Sequence, residues 1–109
     1  MNQIQALQKQ LTTFRDERDW AQFHNPKDLA LGLSIEAAEL LELYLWKDPE
    51  EANISKVREE LADVFAYALL IAEKYDLDVT EIVTEKIAKN REKYPIDKAH
   101  GTAKKYDEL

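Results

Sequence analysis

The chain has 109 residues, the size of one domain that can bury a single core but not two. Apolar residues make up 45% and charged residues 34%, with only two Gly and three Pro, a balance that excludes collagen-like, all-β and disordered chains. The 15 Lys and Arg against 22 Asp and Glu leave a net charge of -7, which repels polyanions such as nucleic acid, and the lack of Cys removes disulfides, thiolate nucleophiles, iron–sulfur clusters and Cys-based zinc sites.

The opening MNQIQALQKQL has neither an apolar signal core nor an Arg-rich leader, and no apolar run approaches roughly 18 residues. A cytoplasmic protein is expected, with no membrane and no nucleic acid among its partners. Ile4, Leu7, Leu11 and Phe14 recur at spacings of three and four, which predicts a first amphipathic helix over residues 2–18. Residues 19–25 break that pattern. Asn25-Pro26 then reads as an N-cap followed by Pro at the first helical position, opening a second helix that runs to Lys47 and stops before Asp48-Pro49.

The stretch DPEEANIS is a connection with room for one helical turn. A third helix is expected from Ile54 to Tyr75, and its centre, LADVFAYALLIA, is apolar on every side apart from Asp63 and Tyr67. Such a helix has to be surrounded. Asp78, with Glu81 three residues on and Leu77 and Ile82 placed as a hydrophobic staple, starts a fourth helix that ends near Tyr94-Pro95. The polar remainder, IDKAHGTAKKYDEL, has no periodicity.

The expected architecture is therefore all-α: a helical domain over 1–95 built from four main helices, and a C-terminal tail over 96–109. Four helices with an all-round apolar third one expose more apolar surface than a small bundle covers alone. Homo-oligomerisation, as a homodimer or a dimer of dimers, is the expected completion of the bundle.

Within the second helix, Leu29, Leu40 and Leu43 fall within about 40° of Glu36, so that carboxylate sits inside the apolar face, with Glu39 about 60° round and Trp46 in line with Glu39. The third helix repeats the arrangement: from Glu60, Asp63 lies about 60° round and Tyr67 about 20°. An unpaired buried carboxylate costs several kcal/mol, and two facing pairs repel one another, so a positive charge is required between them. Mg²⁺, or Mn²⁺, suits that place, since these hard cations take carboxylate oxygens together with water and substrate phosphates.

On spacing alone, ordinary solvated carboxylates remain the competing explanation. The chain has 13 Glu, and Glu39/Glu42 and Glu73/Asp76 repeat the same spacing. Placement inside the apolar stripe favours metal. A di-iron bundle would need Glu-x-x-His pairs, and neither His24 nor His100 lies three residues after a Glu.

EAAE at 36–39 and EELAD at 59–63, with twenty residues between Glu39 and Glu60, resemble the signature of the all-α nucleoside triphosphate pyrophosphohydrolases of MazG type. RDERDWAQFHNPKDLAL, ELLELYLWK, EELADVFAY, KNREKYP and KKYDEL are similar to the dCTP pyrophosphatase branch, so the resemblance runs from Phe14 onward. It implies cleavage between the α and β phosphates of a nucleoside triphosphate, dCTP-like substrates favoured, giving the monophosphate and pyrophosphate, in the service of nucleotide-pool cleaning. It also implies Mg²⁺ held by Glu36, Glu39, Glu60 and Asp63, with Trp20 and Trp46 enclosing the base, Tyr67 lining the same pocket, and Lys86, Asn90, Arg91 and Lys93 meeting the phosphates.

Glu39 is the carboxylate expected to take the proton from the attacking water. The bland readings of the remaining residues are a packing role for each tryptophan, a solvated basic face for Lys86, Asn90 and Lys93, and a capping or packing role for His24. Lys104, Lys105 and Tyr106 are read as able to fold the tail over a neighbouring site. The competing function is a helical dimer that binds nucleotides or regulates without turning them over.

Overall fold

A computed structural model describes residues 1–109, and every element in it is helical. It forms two compact units, Met1–Leu77 and Asp78–Leu109.

The first unit contains α1 (Gln3–Glu17), α2 (Pro26–Glu42) and α3 (Ile54–Lys74), joined through single 3-10 turns at Ala21–Phe23 and Pro49–Glu51. Each helix starts on an Asn. The Asn2 side chain accepts from Gln5 N–H at 2.8 Å while Gln5 returns a bond to the Asn2 N–H, a reciprocal cap not anticipated from the sequence. Asn25 accepts from Asp28 N–H at 2.9 Å ahead of Pro26, as expected, and Asn53 accepts from Ser55 and Lys56.

The helix ends explain the connections. At the end of α1, Asp19 N–H donates to Asp16 C=O and Trp20 N–H to Arg15 C=O, with Asp19 in the left-handed region at φ 54. The end of α3 repeats this: Asp76, at φ 53, donates to Glu73 C=O and Leu77 to Ala72 C=O. Asp takes the place that Gly usually fills, because its short polar side chain tolerates the left-handed conformation.

Helix α2 ends at Glu42, five residues before the expected Lys47. Leu43, Tyr44 and Leu45 donate three residues back instead of four, a tightening that winds the helix down ahead of the extended Asp48 and Pro49. Trp46 then takes φ 61, a conformation that costs a bulky residue about 1–3 kcal/mol. The alignment of Trp46 with Glu39 along a continuous helix does not hold.

Helix α2 packs along α3, and α1 packs on α3, where Gln8 donates to Leu69 C=O at 2.9 Å. The core lies along α3: Leu29, Leu70 and Ala72 are the buried apolar residues. The expectation that α3 is surrounded is met only on that side. Ile54, Leu61 and Phe65 of α3, and Leu31, Ile35 and Leu41 of α2, are exposed.

The second unit holds α4 (Val79–Lys93) and α5 (Ile96–Ala99), followed by a 3-10 turn at Tyr106–Glu108. Asp78 caps α4 by accepting from Glu81 N–H at 2.9 Å, the backbone half of the expected capping box. Helix α4 stops before Pro95, which opens α5 within the stretch read as an aperiodic tail. Tyr106 meets Tyr94 edge to face at 6.2 Å, and the Lys93 ammonium lies 4.9 Å over the Tyr106 ring.

Candidate active site

Facing α2 and α3 bring carboxylates together near the middle of each helix. One oxygen from each of Glu36, Glu60 and Asp63 lies within 4.8 Å of the others, close enough for one cation to touch all three. Glu36 and Glu60 are half-buried, and each has one oxygen, Oε2, that is sealed from solvent and accepts no hydrogen bond. Asp63 is exposed, so the setting is half-buried and open at Asp63 instead of dry throughout, as the apolar stripe had implied.

The electrostatics record the crowding. Burial, reinforced by the neighbouring charges of Glu39 and Asp63, pushes the Glu36 carboxyl up to about 7. Burial and Glu39 likewise raise the Glu60 carboxyl. Glu39, half-buried, thus stands close enough to oppose ionisation of both, although its oxygens lie outside the triplet. No cation of the chain relieves them: the ion pairs join Arg15 to Asp16 and Glu73, and Arg18 to Glu17. An all-oxygen donor set with two orphaned buried atoms fits a hard divalent cation.

Beside the triplet opens a cavity of about 370 Å³, lined by Phe14, Trp20, His24 and Tyr67 together with Glu36, Asp63 and Arg15. The end of α1 builds this wall. The left-handed turn at Asp19 carries Trp20 back onto Phe14, one turn before the helix end, where the two rings meet edge to face at 5.7 Å. The Arg18 guanidinium covers the Phe14 ring at 3.7 Å. Tyr67 projects one and two turns beyond Asp63 and Glu60 on α3.

Of the residues singled out in the sequence, Glu36, Glu60, Asp63, Trp20 and Tyr67 share one neighbourhood, with Glu39 next to it. Trp46 does not join them: it is 98% exposed in its turn. Lys86, Asn90, Arg91 and Lys93 are exposed side chains of α4 in the second unit, where Arg91 lines a separate recess with Tyr94, Ile96 and Asp97.

Sequence reasoning had not put Arg15 in the site and had given His24 a capping or packing role. Burial holds the His24 imidazole below its usual range, and its Nδ1 is sealed without a partner. The α1 stripe held a partial signal for Arg15 alone, which directly follows the cavity-lining Phe14; His24 lies beyond α1, and nothing in that stripe pointed to it.

Comparison with known proteins identifies the family. Residues 31–109 match the model of the MazG-like family. The chain is 34% identical over 114 residues to dCTP pyrophosphatase 1 of Mus musculus and of Homo sapiens, an alignment covering 97% of this chain and 67% of each relative. The crystal structure of a pyrophosphatase from Archaeoglobus fulgidus superposes with a TM-score of 0.81 at 37% identity, covering 87% of this chain and 94% of that one. With a matching family model over most of its length, relatives of this closeness and an acidic cluster on paired helices, the chain belongs to the MazG-like family and is a pyrophosphohydrolase.

Proposed function

We propose that the chain hydrolyses deoxynucleoside triphosphates of the dCTP kind to the monophosphate and pyrophosphate, using Mg²⁺ held by Glu36, Glu60 and Asp63 with Glu39 beside them as the fourth ligand, and that it serves to clean the nucleotide pool. The observation that carries this reading is the pair of sealed, unpartnered carboxylate oxygens on Glu36 and Glu60, with Glu36 itself lining an aromatic cavity. When bound, such a cation offsets phosphate charge and acidifies water.

The chain's own residues supply the rest. Trp20 and Tyr67 offer aromatic surface on which a base can rest. Glu39, the ligand least saturated by the metal in this reading, takes the proton from the water that attacks the α-phosphorus; the bond from the α-phosphorus to the bridging oxygen breaks and pyrophosphate leaves. Mn²⁺ satisfies the same oxygen donors. Lys86, Asn90, Arg91 and Lys93 remain the proposed donors to the phosphates.

Self-association completes this reading. The exposed Leu31, Ile35, Leu61 and Phe65 lie in i, i+4 pairs on α2 and α3, which suits packing of α2 and α3 against a second copy. In that assembly, as a homodimer or dimer of dimers, Trp46 is the proposed second aromatic face of the base pocket, donated by the partner copy. Cytoplasmic placement belongs to the same reading; the structure contains no helix long and apolar enough to cross a membrane.

The test is incubation with a panel of nucleoside triphosphates, with Mg²⁺ and with chelator, separating pyrophosphate from orthophosphate. Pyrophosphate release that needs the metal and is fastest with cytosine deoxynucleotides is expected. Orthophosphate as first product, or equal rates in chelator, overturns the proposal.

A further inference from the structure

Gly32 lies in the middle of α2, one turn before Glu36, where Gly is disfavoured relative to Ala because it loses more backbone freedom on folding. Its backbone has ordinary helical geometry, so no left-handed turn requires it. What requires it is the side chain opposite. A Cβ at position 32 would stand 2.4, 2.7 and 2.9 Å from three carbons of the Tyr67 ring, well inside van der Waals contact. The ring therefore lies in a slot on the α2 backbone that only a residue without a side chain leaves open.

Tyr67 also walls the cavity beside the carboxylates. The ring is thus held between the α2 backbone on one side and the open cavity on the other. A methyl group at position 32 displaces it, and the cavity offers it free space. The displacement narrows the space beside Trp20 without altering any carboxylate.

We infer that Gly32 is a positioning residue that sets how far the Tyr67 ring stands out of the base pocket, and so fixes the size of base the enzyme accepts. This deepens the proposed function and rests on its reading of the cavity as the base site. Gly32 touches no substrate; it acts through Tyr67.

The test is Gly32→Ala, alone and combined with Tyr67→Ala, in kinetics with pyrimidine and purine triphosphates. Alongside, equilibrium titration with the corresponding nucleoside monophosphates is followed by tryptophan fluorescence. Gly32→Ala is expected to raise KM about tenfold with kcat kept within about twofold, more steeply for purines than for pyrimidines, since about one methyl of lost pocket space discriminates on that scale. In the Tyr67→Ala background the same change is expected to do nothing further, because the ring it displaces is gone.

Unchanged KM, or an equal rise in both backgrounds, overturns the inference. So does a Gly32→Ala protein that no longer melts cooperatively, because the glycine would then serve helix packing alone. Wild-type protein that binds monophosphates but releases no pyrophosphate defeats the functional reading and leaves the coupling to be decided by the titration.

Discussion

The two compact units divide the chain's charge unequally. Met1–Leu77 carries 8 Lys and Arg against 15 Asp and Glu, whereas Asp78–Leu109 carries 7 of each, so the net charge of -7 belongs wholly to the first. The acidic unit is also the one with the aromatic cavity and the carboxylate triplet. Its negative surplus has to be offset before a triphosphate can approach, and the neutral unit, with four of its seven cations on α4, is free of that burden. Local structure, not overall composition, therefore decides whether an acidic protein can take an anionic substrate.

The largest expected effect breaks this comparison at its centre. Glu36→Gln and Asp63→Asn each remove a carboxylate from the triplet, and turnover should fall by about 10²–10³ or more, as when one preorganised electrostatic contact is lost. The melting temperature of the metal-free protein should hold or rise in Glu36→Gln, since a repelling charge is removed. Calorimetry beside a pyrophosphate-release assay checks both. Unaltered turnover would reduce the acidic surplus to an ordinary solvated surface.

A pH series sharpens the same contrast. Glu36 ionises near the usual carboxylate value of 4.5 when unfolded but is pushed up to about 7 by burial and its acidic neighbours when folded. Its folded form is favoured below about 4.5, and that advantage is lost as pH rises through 7. Metal-free protein should therefore melt at progressively lower temperature across that window. Glu36→Gln should flatten the slope, and Mg²⁺ should restore stability mainly above pH 7. A slope that Glu36→Gln leaves unchanged would assign the loss to another group.

These expectations also measure what the sequence conveyed. The carboxylates were legible because Glu36 and Glu60 fall inside apolar stripes, and a 3.6-residue period places them without knowledge of the neighbouring helix. Helix starts at Asn25 and Asp78 were legible for a similar reason, since capping is local. The end of α2 was not: tightening at Leu43–Leu45 involves no Gly or Pro, and it moved Trp46 off the helix face. Arg15 and His24 were missed because the cavity forms only when α1 packs against α3, a contact that no single-helix projection contains.

Trp20 and Trp46 form the next test, with a middle-sized effect. Trp20→Ala should raise KM about tenfold, the scale of one lost base–aromatic stack, while kcat changes little. Trp46, 98% exposed, should matter only where a second copy brings it to the pocket. Trp46→Ala is then expected to raise KM at protein concentrations where light scattering reports a dimer, and to do nothing for protein diluted to monomer. A rise in KM at every concentration would place its role within one chain.

The smallest effects belong to the neutral unit. Lys86 and Arg91 are exposed on α4, and an exposed cation near a phosphate contributes about 1 kcal/mol, so Lys86→Ala and Arg91→Ala should each raise KM only severalfold. Screening supplies the signature: at physiological salt the reach of such a charge is about 8 Å, and the difference from wild type should shrink as salt is raised. Lys93 is a useful contrast, because its ammonium already lies over the Tyr106 ring. Lys93→Ala should cost some local stability, about 0.5–1 kcal/mol for an exposed cation–π pair, in addition to any change in KM. If Lys86→Ala and Arg91→Ala raise KM equally at low and high salt, these side chains act through structure and not through charge. The neutral unit would then have no part in drawing the substrate in, and the divalent cation alone would have to overcome the -7 of the acidic one.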